Sequence, residues 1–84
     1  MTFEVDVNIL PLKGLLDPQG KTVHQGLNKI GLNQVHDVRV GKRIVMHIDA
    51  DNAEAAYAIA EDACKKVLVN PDMEGYTIEV AEGA

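Results

Sequence analysis

Tryptophan is absent from this chain, and cysteine and phenylalanine occur once each beside two tyrosines. The single cysteine, Cys64, excludes an internal disulfide, and His24, His36 and His47 fall at no ligand spacing such as i, i+4. No metal site is expected. So few aromatic side chains leave little on which nucleic-acid bases could stack. Basic residues are also scarce, eight against thirteen acidic ones for a net charge of −5. Attraction to phosphates, which drives non-specific nucleic-acid binding, is therefore missing. No apolar run approaches the ~20 residues of a membrane span. The opening Met1-Thr2-Phe3-Glu4 lacks the basic start of a signal peptide. A free thiol without an export signal predicts the reducing cytoplasm. Neither nucleic acid nor membrane is expected as a partner.

At 84 residues the chain is read as one domain spanning 1–84. Such a domain buries only roughly 60% of its unfolded surface and often borrows stability from a disulfide, a metal or another subunit. With the first two excluded, self-association is the expected source, as a homodimer or a higher oligomer.

Phe3, Val5, Val7 and Ile9 alternate with Glu4, Asp6 and Asn8, the period of a half-buried strand. Pro11 has no N–H to donate and ends the pairing. After a loop from Leu12 to Leu16, Asp17-Pro18 predicts a helix start: a carboxylate for the unpaired amides, then a proline where no N–H is needed. The helix should run to Ile30, with Val23, Leu27 and Ile30 as its apolar stripe and Gly31 as a left-handed cap. Gly20 and Gly26 weaken it, which suggests that its face approaches a strand closely.

Val38, Val40, Ile44, Met46 and Ile48 share one parity, but a two-residue turn at Gly41-Lys42 would set Val40 opposite Arg43. Two readings keep the apolar residues together. One is a hairpin with a three-residue loop, Gly41 to Arg43. The other is a single long strand, bent near Gly41, whose halves serve two subunits of a dimer. Asp51-x-x-Glu54 then predicts a capping box. The helix behind it carries Ala56, Ala60 with Ile59, Ala63 and Val67 as its stripe, widened by Tyr57, Cys64 and Leu68, and stops at Asn70-Pro71. Tyr76, Ile78 and Val80 mark a closing strand. The order β-α-β-(β)-α-β indicates an α+β, ferredoxin-like two-layer sandwich, an antiparallel sheet with two helices on one face.

No catalytic constellation accompanies this plan. Cys64 lies late in a helix beside the apolar stripe, the place of a packed core cysteine rather than a nucleophile. The histidines are read as surface residues, His47 facing water or a partner. What exceeds structural need is Gln19, Gly20 and Lys21 behind the cap Asp17, and the glycine bend with its cations, Arg39, Gly41, Lys42 and Arg43. With Lys13, these cations form a local basic patch on an acidic protein. All eight residues of the cap and the bend are candidates for partner contact.

The segments Leu16-Asp17-Pro18-Gln19-Gly20-Lys21, Asp37-Val38-Arg39-Val40-Gly41-Lys42 and Leu68-Val69-Asn70-Pro71, followed by Glu74-Gly75-Tyr76, give the chain a resemblance over nearly its whole length. It resembles the PurS family, small subunits of formylglycinamide ribonucleotide amidotransferase (phosphoribosylformylglycinamidine synthase) in bacteria and archaea. The resemblance implies a subunit without catalytic residues in an ATP-dependent glutamine amidotransferase complex of purine biosynthesis. A glutaminase subunit would release ammonia, and a synthetase subunit holding ATP and magnesium would consume it. A dimer of this chain would join the two and assist the transfer, with no cofactor of its own. A different class remains open beside it: a ferredoxin-like regulatory domain that senses a small molecule.

Overall fold

In the computed structural model, residues 1–83 are described. Three strands, β1 (Thr2–Pro11), β2 (Lys42–Asp49) and β3 (Glu74–Glu82), form one antiparallel sheet in the order β2-β1-β3. Helix α1 (Pro18–Lys29) follows β1. Helix α2 (Ala53–Ala63), with a π-helical turn at Cys64–Leu68, joins β2 to β3. The α+β class and the antiparallel sheet agree with the sequence reading.

The alternation in β1 decides where the core lies. Phe3, Val5, Val7 and Ile9 are all buried. Across the ladder Val5 stands opposite Met46 and Val80, and Val7 opposite Ile44 and Ile78. Each fully buried Val or Ile contributes about 1.5–3 kcal/mol relative to exposure. Ala56, Ala60 and Cys64 of α2 and the turn close over this row, also buried. Small side chains there let the helix backbone approach the sheet.

Three sequence expectations are corrected. Asn52, not Asp51, caps α2, its Oδ1 accepting from the Ala55 N–H at 2.8 Å. Both residue types cap well, so their adjacency hid the register. Val67 is 80% exposed, because the π turn closes through a Val69 N–H to Cys64 carbonyl bond and residues past Cys64 leave the 3.6 period. No residue of α1 packs on the sheet or on α2, so only one helix covers the sheet within a chain. Val23 is exposed, and so, at 73%, is Ile30. The radius of gyration, 16.2 Å, exceeds the roughly 12 Å of a compact chain of this length, and the long axis reaches 50 Å.

At Gly41 the sequence left two readings open. The hairpin is excluded: Lys42 lies opposite Ile9, an added Cβ at Gly41 would strike the Ile9 carbonyl, and the Arg39 guanidinium donates to the Pro11 carbonyl at 3.3 Å. The segment therefore continues along β1 instead of folding back. Within the chain it forms no ladder before Lys42.

Candidate functional site

Beyond the end of the sheet, the loop after β1, the start of α1 and residues 37–39 enclose an open cleft of about 540 Å³. Its geometry depends on Asp17. Oδ1 caps α1 by accepting from the Gly20 N–H at 3.0 Å, and Oδ2 accepts from the Val40 N–H, also at 3.0 Å. The Val40 amide, then the Gly20 amide, hold the carboxyl below its ordinary range against some desolvation, and the Arg39 charge adds to the effect. Gly20 is buried, and a Cβ there would collide with the Val38 carbonyl and the Asp17 carboxylate. The close approach expected of α1 is thus to the returning segment rather than to a strand, and Gly26 has open space around it. At the far end, Gly31 takes a φ of +95°. The Leu32 N–H donates to the Leu27 carbonyl and the Gly31 N–H to the Asn28 carbonyl, the paired bonds of a Schellman cap.

Of the eight expected contact residues, the structure brings Asp17, Lys21 and Arg39 to the cleft, with Gly20 beneath them. Gln19 is exposed on the first turn of α1. Gly41 lies against β1. Lys42 pairs with Glu74 at 3.8 Å. Arg43 pairs with Asp6 on the open face of the sheet, a contact that raises the guanidinium pKa. On that face the His47 Nε2 lies 3.5 Å from Glu4. Arg39 does not join that face: its guanidinium reaches the Pro11 carbonyl.

Lys13, His24 and Asp37 also line the cleft, and His24 Nε2 lies 2.8 Å from the Val35 carbonyl. Their grouping joins residues far apart in sequence, and only Lys13 carried a signal, as a member of the basic patch. The exposed Leu12, Leu15 and Leu16 were legible only as a loop. Cys64 is fully buried, and burial followed by the Glu61 charge pushes its thiol pKa up, as expected of a core cysteine. No group of His, Cys, Asp or Glu among the described residues is arranged to hold a metal ion.

Known proteins resemble the chain over nearly its full length. The family model described as "PurS: Phosphoribosylformylglycinamidine (FGAM) synthase" matches residues 4–82. The phosphoribosylformylglycinamidine synthase subunit PurS of Methanocaldococcus jannaschii is 36% identical over 78 residues, covering 93% of this chain and 94% of that protein. The structure of Thermus thermophilus PurS superposes with a TM-score of 0.88 at 34% identity, covering 100% of both chains. A chain in the structure of PurLQS from Thermotoga maritima gives 0.88 at 31% identity, covering 96% of this chain and 99% of that one.

Proposed function

The chain belongs to the PurS family of phosphoribosylformylglycinamidine synthase, and we propose that it is the adaptor of that complex, bridging the glutaminase and synthetase subunits and assisting ammonia transfer. The observation that carries this reading is the full-length match to a chain of the Thermotoga maritima PurLQS structure. In this reading ATP and its magnesium bind the synthetase subunit, and no chemical step falls to the chain itself. Its work is done in the cytoplasm. No helix among the described residues is long and apolar enough to cross a membrane.

The adaptor is a homodimer. Two features support this. Val23 and Ile30 of the α1 stripe stay exposed with no other element of the chain packed on the helix, and the outer edge of β2 continues through Gly41 into a segment without ladder partners. A second copy supplies both a surface for the stripe and a strand for the edge, which is the shared long strand expected from the parity of Val38 to Ile48. The test is reconstitution of glutamine-dependent amidation from purified glutaminase and synthetase subunits, with and without this chain. Activity that requires the chain is the expected result. Full activity in its absence overturns the reading.

A further inference from the structure

Four of the eight cations in the chain are ion-paired: Lys42 with Glu74, Arg43 with Asp6, Lys65 with Glu61 and Lys66 with Asp62. Of the four that make no ion pair among the described residues, Lys29 sits in the last turn of α1, where it complements the helix end. The other three, Lys13, Lys21 and Arg39, all line the cleft. On a chain of net charge −5, three of the four cations that make no ion pair among the described residues are therefore gathered in one place.

Two carboxylates also line it. Asp17 is engaged by the Gly20 and Val40 amides, while Asp37 is exposed. The remaining excess is cationic. Beside these charges the loop exposes three leucines, Leu12 at 40%, Leu15 at 43% and Leu16 at 78%. Each of the three keeps a large part of its apolar surface open to solvent, Leu16 most of it. A phosphate-bearing metabolite would not use them, whereas a peptide segment with neighbouring carboxylate and apolar side chains would use both features.

We infer that the cleft formed by residues 11–17, the first turns of α1 and residues 37–39 is the docking groove for an acidic, leucine-compatible segment of a partner subunit of the complex. The inference rests on the adaptor reading and narrows it. Lys13, Lys21 and Arg39 supply the charge, and Leu12, Leu15 and Leu16 the apolar floor and rim. Lys42 and Arg43, engaged elsewhere, do not take part.

The test uses the full chain with the purified synthetase and glutaminase subunits, binding being measured at low and physiological salt. Lys13→Glu and Lys21→Glu are the central variants, because neither amine holds another part of this chain. Lys29→Glu makes the same charge change outside the cleft and is the control. The expected result is binding that weakens with salt, a loss of about tenfold or more for each cleft variant, and little change for Lys29→Glu. Circular dichroism should match the unaltered chain in all three, and the melting temperature in the two cleft variants. Equal affinity for cleft variants and unaltered chain overturns the groove while leaving the adaptor reading standing. Equal losses at Lys29 and the cleft overturn it in favour of net charge alone. Loss of self-association in the cleft variants, with subunit binding intact, reassigns the groove to a second copy. If the unaltered chain binds neither subunit, the groove and the adaptor reading fall together.

Discussion

The Asp17 carboxylate ties together two segments 23 residues apart, one oxygen capping α1 at Gly20 and the other accepting the Val40 N–H. One side chain thus sets both the start of a helix and the path of the chain into β2. The geometry of the cleft follows from that tie.

The tie has a pH signature. Asp17 is held below its ordinary pKa of 3.8 in the folded chain, so its contribution is fully present above that value. It is lost as pH falls through the folded-state pKa. The melting temperature of the unaltered chain should drop more between pH 5 and pH 2 than that of Asp17→Asn, with the two converging in acid. Parallel curves for the two proteins would remove Asp17 from this role.

Gly20 and Gly41 each sit against a backbone carbonyl as well as a side chain. An added Cβ meets the Val38 carbonyl at the first and the Ile9 carbonyl at the second. Gly20→Ala and Gly41→Ala should each cost roughly 1–3 kcal/mol in urea unfolding, the range of overpacking. Neither glycine has a positive φ, so strained dihedrals are not the cause. A neutral result at either site would mean that its neighbouring backbone is free to shift.

Charging the exposed stripe of α1 should separate association from folding. Ile30→Asp and Val23→Asp alter side chains that the single chain leaves exposed, Ile30 the more so. Sedimentation equilibrium should give twice the 9.1 kDa chain mass for the unaltered protein and the chain mass for the variants. The β-sheet circular dichroism should persist. A variant that remains dimeric would place the self-contact elsewhere.

Cys64 tests the core. Its thiol is fully buried with a raised pKa, so alkylation should be slow in the native chain at pH 8 and fast in urea. Cys64→Ser places a hydroxyl in an apolar setting and should cost about 1–3 kcal/mol. Rapid native alkylation would contradict the packing of α2 on the sheet.

The local elements were legible because their causes are local. Alternation from Phe3 to Ile9 marked the central strand, Asp17-Pro18 the helix start and Gly31 its end, and each agrees with the structure. The misses have non-local or near-degenerate causes. Asn52 and Asp51 cap equally well, so one residue of register was hidden. The π turn after Ala63 left no mark on the 3.6 period until Val67 turned outward. The stripe of α1 read as a core face because periodicity reports that a face is apolar, not what covers it.

By itself, then, the sequence determined the central strand, both ends of α1, the inert cysteine and the family, all carried by residue order over short spans. Only the tertiary structure decided that α1 stands off the sheet, that Gly41 continues β2 along β1, and that Lys13, Lys21 and Arg39 meet in one cleft. Such relations depend on where distant segments come to rest. Contacts such as that between Asp17 and the Val40 backbone set those positions, and no local periodicity encodes them.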